Sequence, residues 1–499
     1  MAETNNKKRW PLALVIIAAV VIAAAAIIYS YHDSPGRLPV SAISDGSNGI
    51  IVAWQKGASF YAQRVDPSGQ PQWEAGGIFI CECPPGSGFT LTPDGLGGAI
   101  ITWSNTSSRP DDRDDPAFFD SVPFYSQRIN ADGELLWSDS PISSGRSRQV
   151  VLDGTGGAFF VWDDYKTYRK ALRDDYLRLQ KIAPDGSRLW GDEGMLIVTS
   201  SLFRPVTPEE TASGVKGIAT RSWPTYEGNH AIVNDGVGGV IVFWEEELEN
   251  KKNGIYAQRV DGDGNLAWPD RVLVGAGQDF RLRSVVSDGV GGAIIRTSDG
   301  TVYSGIGKIS VPLMVHISGD GELLETREYS PDIISISDGL SGSFRIRIEE
   351  DPPSGPPRER RTILYVQRLD EAGQALWSGK QVINPGEKQQ FRNLEYIADG
   401  TGGVIIAWQL QKEFVAYGKI MAQRLDASGG MQWSEEGMPV FNIPGINYQG
   451  VSEILSDGSG GVIVVANLGE GGLSGDMVYA QRLDVNGNRL WGDGVRIDR

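Results

Sequence analysis

The sequence predicts an all-β fold: an eight-bladed β-propeller of four-stranded antiparallel blades, preceded by a single N-terminal transmembrane helix. Three observations predict it. A unit recurs eight times between residue 41 and the C-terminus, opening at Asp45, Asp94, Asp153, Asp235, Asp288, Asp338, Asp399 and Asp457. It closes at Gly69, Gly133, Gly186, Gly264, Gly321, Gly373, Gly429 and Gly487. Between those turns lie short β-branched runs, which read as strands punctuated by Gly, Asp and Asn. Finally, one long apolar run precedes the first unit. Self-similarity at this period marks a repeat architecture, in which no single unit can bury its own faces.

The elements follow in chain order. Residues 1–9 form a basic, cytoplasmic N-terminus carrying Lys7, Lys8 and Arg9. Residues 10–30 are read as an anchor: the run Pro11 to Ile28, flanked by Trp10 and Tyr29, reaches about 20 residues, enough for a helix to cross roughly 30 Å of hydrocarbon. Charge before the run places the C-terminal body outside the cytoplasm, with Trp10, Tyr29 and Tyr31 as interfacial aromatics. A cleavable signal peptide is the competing reading, but its core is shorter and ends in a small-x-small site, whereas this one ends in Ile-Ile-Tyr-Ser-Tyr. Residues 31–40 are a linker, and 41–499 the propeller.

Within a unit, the second run (Val240–Val242, Val404–Ile406, Val462–Val465) is apolar at consecutive positions, as in a strand covered on both faces. The Asp-Gly-x-Gly-Gly stretch supplies the positive-φ residues of a hairpin, and Asp-x-x-Gly fits a turn ending in a left-handed glycine. Radial stacking of such units leaves only short, protected edges. The first unit begins with its own first strand near Val40–Ile43 and the last ends with its fourth near Val495–Ile497, so the ring is expected to close directly.

Repeated side chains are read as its fastenings. Trp73, Trp137, Trp190, Trp268, Trp377, Trp433 and Trp491 occupy one slot; Trp54, Trp103, Trp162, Trp244 and Trp408 occupy another. Five residues before each closing glycine stands a cation: Arg64, Arg128, Lys181, Arg259, His316, Arg368, Arg424 or Arg482. Seven of them follow Gln. Because the first and third turns of a meander share one end, each cation is expected to pair with its opening aspartate. Eight equal copies argue packing, not catalysis. Unit 5 departs most, with Thr297 and Glu325 replacing both tryptophans and Val315-His316 replacing Gln-Arg.

The pattern D-G-x-G-G-x-I-I-x-W … Y-A-Q-R-x-D-x-x-G-x-x-x-W resembles the propeller repeats of secreted and surface-anchored bacterial proteins, over essentially all of residues 41–499. The closing D-x-x-G-x-x-x-W is also similar to the tryptophan-docking motif of eight-bladed quinoprotein dehydrogenases and the related outer-membrane assembly scaffold. The latter resemblance implies eight blades. The turn here is one residue shorter, and neither an adjacent cysteine pair nor a matching metal-ligand set accompanies it.

A formal charge of −17 excludes a general nucleic-acid binder, which needs a basic face. Three histidines cannot build a histidine-rich metal site, and two cysteines, Cys81 and Cys83, are no disulfide framework. Cys-x-Cys leaves open metal binding, thiol–disulfide cycling or no special role.

Length variation falls in the connections at the end opposite the repeated turns, which nominates that end for binding. Its insertions carry Phe118 and Phe119 beside Asp111, Asp112, Asp114 and Asp115; Tyr165 and Tyr168; Arg221, Trp223 and Tyr226; and Glu245 to Glu247. Trp223 is the one propeller tryptophan outside both slots, hence the leading candidate for a stacking or anchoring side chain. The four aspartates are weak candidates for Ca²⁺; no cofactor is otherwise indicated. Asp261-x-Asp263-x-Asn265 looks like a calcium loop but coincides with a repeated turn. Asp163/Asp164 are an acidic pair whose default is solvated charge. The functional expectation is an extracytoplasmic scaffold, more non-enzymatic than enzymatic, binding a protein or a surface polymer. Alternatives are a quinone-dependent dehydrogenase, a carbohydrate-active hydrolase or lyase, or a surface-layer protein.

Overall fold

The computed structural model describes residues 39–499 apart from short internal segments, the longest being 105–122, 205–217 and 352–360. The expected anchor, residues 10–30, lies outside the described residues. Among the described residues there is no helix, hence none long and apolar enough to cross a membrane.

Eight four-stranded antiparallel sheets succeed one another, each built from consecutive strands except the fifth, into which a small hairpin is inserted. Sheet 1 comprises Val40–Ser44, Ile50–Lys56, Ser59–Val65 and Ile78–Glu82; sheet 8 comprises Tyr448–Ser456, Val462–Gly469, Met477–Leu483 and Val495–Arg496. Among the described residues, first strands of neighbouring sheets lie side by side, as at sheet 4 on sheet 5 and at sheet 8 on sheet 1. The second strands are the covered ones, as their unbroken apolar runs require: Val462–Gly469 is buried at every position.

Apolar clusters fill the gaps between sheets. Ile51, Phe60 and Trp73 of sheet 1 pack with Ile101 and Trp103 of sheet 2, and the same holds for sheets 2 to 5 and 6 to 8 in turn. Ile463, Val465 and Trp491 of sheet 8 pack with Ile50, Val52 and Trp54 of sheet 1, so chain ends more than 400 residues apart share one core.

The repeat residues do what their recurrence implied. Asp45 Oδ1 accepts from the backbone of Ser47 and Gly49 (2.8 and 2.9 Å), folding the first hairpin, while its Oδ2 accepts from Arg64 Nε (3.0 Å). Arg64 and Trp73 then both donate to one carbonyl of the next sheet, that of Ala131 (3.2 and 3.1 Å). Arg128 and Trp137 repeat this on Pro184, Arg259 and Trp268 on Gly319, and Arg368 and Trp377 on Ala427. Arg482 and Trp491 repeat it on Pro67, which closes sheet 8 onto sheet 1 (both 3.0 Å). Gln63 ties strand to strand by accepting from the Trp73 amide (2.9 Å). The closing glycine is dictated twice over: Gly69 has φ +87°, and a Cβ there would lie 2.8 Å from the Trp491 ring.

Two expectations need correction. Lys181 reaches the carbonyl of Gly262 (3.0 Å) in place of an opening aspartate, since an ammonium is a point donor and cannot fork as guanidinium does. Residues 163–175 are not an insertion loop. The second and third strands of sheet 3 run on as one long hairpin, Ala158–Arg169 and Leu172–Ile182, because alternate-strand pairing continues out to Arg169. A hairpin in sheet 5, Gly300–Ser304 with Gly307–Val311, was not foreseen.

Candidate binding face

At the end away from the repeated turns, the second strands carry a polar side chain just after the tryptophan slot, except in sheet 6, where Ile348 stands there. Gln55, Gln409 and Asn467 are neutral amides there, all buried. Sheets 3 and 4 place Asp163 and Glu245 at this position, and both are buried as well, which corrects the expectation of solvated charge. A buried carboxylate needs donors, and the neighbouring strands supply them.

Asp163 Oδ1 lies 2.9 Å from Nδ1 of His230, on the first strand of sheet 4, with the imidazole wholly buried. Asp164 Oδ2 takes Arg178 Nε at 3.0 Å, and Arg178 extends to Glu193 (3.2 Å). In sheet 4, Glu245 Oε1 accepts from Asn229 Nδ2 (2.6 Å) and from the amide of Leu282 (2.5 Å), and Oε2 accepts from Arg281 Nη1 (2.9 Å). With its amide turned so that the oxygen accepts, Asn253 takes Arg281 Nε at 2.9 Å. Glu246 accepts from Trp244 Nε1 (2.7 Å) and from Arg271, whose guanidinium lies 4.2 Å from the Tyr256 ring centre. Burial first, and then the Glu246 charge, push the Tyr256 phenol up, against a smaller opposing pull from Arg271. Oε2 of Glu246 is buried with no hydrogen-bond partner among the described residues.

At this end sheets 3 and 4 thus join through a carboxylate and an imidazole, and sheets 4 and 5 through an ion pair. Sheets 7 and 8 instead meet through a neutral amide, Gln449 Oε1 accepting from the Ile420 amide (2.9 Å). Asp164, Glu245 and Glu246 are each engaged by a guanidinium group and Asp163 by the His230 imidazole.

Of the sequence candidates, Tyr165 lies opposite Asp175 on the long sheet 3 hairpin, and Tyr168 sits at its register shift. Tyr226 lies opposite Glu246 on the edge of sheet 4. The fold therefore brings these three backbone positions to one end of adjacent sheets. Phe118, Phe119, Arg221, Trp223 and the aspartates 111, 112, 114 and 115 lie outside the described residues. Among the described residues no group of three or more His, Cys, Asp or Glu side chains is placed to hold a metal ion. Asp261 accepts from the amides of Asp263 and Asn265 (3.0 and 2.8 Å), an ordinary turn. His230, Asn229, Arg271 and Arg281 escaped sequence reasoning. The available signal was the alignment of Asp163 and Glu245 with Gln55, Gln409 and Asn467.

Neither a protein-family profile nor a curated protein sequence matches the chain. Solved structures with partial likeness include a puromycin hydrolase variant at 12% identity and TM-score 0.37, covering 92% of this chain and 54% of that one. A polysaccharide lyase has 10% identity and TM-score 0.38, covering 76% and 88%. The β-propeller domain of a trilobed protease from Pyrococcus furiosus has 12% identity and TM-score 0.31, covering 68% and 94%. The chain thus spans about half the length of the puromycin hydrolase it resembles. Likeness at this level transfers no activity.

Proposed function

We propose that the chain is an eight-bladed β-propeller, held outside the cytoplasm by an N-terminal membrane anchor, that binds a protein partner or surface polymer through the end opposite its repeated turns. One observation carries this reading: the two ends are built by different rules. The turn end repeats one fastening, while the other end carries the long sheet 3 hairpin and the ion pairs of sheets 3 to 5. Rigid scaffolds present their irregular segments for recognition, and buried charge bonded to neighbouring strands holds such segments in register. The test is cross-linking and affinity capture with the intact membrane form, comparing the parent chain with a Tyr165→Ser/Tyr168→Ser variant and with residues 105–122 deleted. Capture lost in either, with an unchanged melting temperature, is the expected result; capture unchanged in both refutes the assignment of this end.

A hydrolase or lyase is the second reading, favoured by the Asp163–His230 pair, since a carboxylate that orients an imidazole is a common part of nucleophilic and general-base sites. Against it, the imidazole is wholly buried between sheets 3 and 4. Turnover of a surface polysaccharide that disappears in His230→Gln while capture persists would favour the enzyme.

A further inference from the structure

Two thiols lie at the rim of sheet 1, beside Gln55. In a regular strand, residues two apart are separated by about 6.6 Å, too far for their sulfurs to meet easily. Cys81 and Cys83 escape that limit. The pairing of the fourth strand with the third slips between Phe60 and Tyr61, and the strand ends at Glu82. The two Sγ atoms then lie 2.7 Å apart.

The surroundings fix this approach without a covalent bond. The Cys83 amide donates to the carbonyl of Ala58 (2.6 Å), and Gln55 Nε2 donates to the Cys83 carbonyl (3.3 Å). Cys83 is buried in the cluster between sheets 1 and 2, whereas Cys81 is half-buried and reachable from solvent. No other cysteine exists in the chain, so no competing internal pairing is available.

We infer that Cys81 and Cys83 form a redox-active dithiol that exchanges electrons with external disulfides. Cys81, as thiolate after losing its proton to solvent, attacks one sulfur of a disulfide R–S–S–R′. The S–S bond of that substrate breaks, R′S⁻ leaves and takes a proton, and Cys81 is left bonded to SR. The Cys83 thiolate then attacks the Cys81 sulfur, expelling RS⁻, which is protonated in turn. The two protein thiols are oxidised and the disulfide is reduced to two thiols, so atoms and electrons balance. In the reduced pair, hydrogen bonding from Cys81 holds the Cys83 thiol below its ordinary range. That donor is gone once Cys81 carries SR, and the 2.7 Å approach of the two sulfurs is what suits Cys83 to the second attack. Burial keeps Cys83 from making the first.

The test uses the full chain with reduced cysteines, challenged with glutathione disulfide and, separately, with the protein disulfides of insulin, followed by alkylation and intact-mass measurement. The expected result is an internally oxidised chain that carries no glutathione. Cys83→Ser is expected to trap a stable glutathione adduct on Cys81, and Cys81→Ser to react at least tenfold more slowly. Oxidation by glutathione disulfide alone identifies small disulfides as the substrate; reduction of insulin as well extends it to proteins. Persistent adducts on the parent chain, equal reactivity of the two variants, or no reaction with either disulfide would overturn the assignment. Since the measurement on the parent chain needs no substitution, a misfolded variant does not blunt it.

Discussion

The two ends of this molecule fasten their sheets with the same chemical groups and different logic. At the turn end, an opening aspartate, a cation and a tryptophan recur from sheet to sheet, and in sheets 1, 2, 4, 6 and 8 the cation and the tryptophan reach one carbonyl of the neighbouring sheet. At the opposite end, each ion pair occurs once, and the buried position that is neutral in sheets 1, 7 and 8 becomes acidic in sheets 3 and 4. Repetition serves closure, because identical junctions let a ring close with equal rotation per unit. Singularity makes one stretch of rim differ from the others, which is what the proposed recognition role requires.

The comparison can be broken most directly at its strongest points. Arg424→Ala strips the wholly buried Asp399 of its partner and is expected to cost about 3–5 kcal/mol, seen as a large fall in the denaturation midpoint. Trp491→Ala opens the seam between sheets 8 and 1 and is expected to cost a similar, about 3–5 kcal/mol, while leaving Arg482 on Pro67. At the other end, Arg281→Ala is expected to cost less, about 1–3 kcal/mol, because Arg281 is itself 43% exposed, whereas Arg424 is nearly buried. Equal losses from Arg424→Ala and Arg281→Ala would erase the distinction between the ends.

Sheet 5 sharpens the contrast from within the repeat. His316 still binds its aspartate, Asp288, at 3.0 Å, yet Glu325 stands exposed where other sheets place the tryptophan, and a carboxylate cannot donate to the next sheet's carbonyl. Glu325→Trp together with His316→Arg is therefore expected to raise stability by about 1 kcal/mol, read as a higher melting temperature. No change would mean that this junction is fastened by other means.

Acid gives the smallest effect. The Ser428 hydroxyl and the neighbouring amides hold Asp426 below its ordinary 3.8, and the Asn265 amide does the same for Asp261. A carboxyl whose folded value is depressed stabilises the protein above its unfolded value, and that contribution fades as pH falls through the folded one. Stability at the turn end is thus expected to decline below about pH 4, and Asp426→Asn to flatten that decline in a pH series of melting temperatures.

How much was legible in the sequence divides along the same line. The Asp–Arg pairs, the tryptophan slots, the left-handed closing glycines and the direct closure of sheet 8 on sheet 1 could all be read in advance, because every copy repeats the same local demand at a fixed spacing. What local spacing cannot encode is which strand stands opposite a single acid. His230 meets Asp163 across 67 residues and Arg281 meets Glu245 across 36, with no second copy to reveal the pairing. The residues by themselves determined strands, turns and the fastening that most units share, since those follow from φ preference, alternation and recurrence. Only the tertiary structure decided that Asp163, Glu245 and Glu246 are buried and paired, and that two thiols on one strand edge meet, because burial and partner choice depend on how neighbouring sheets pack.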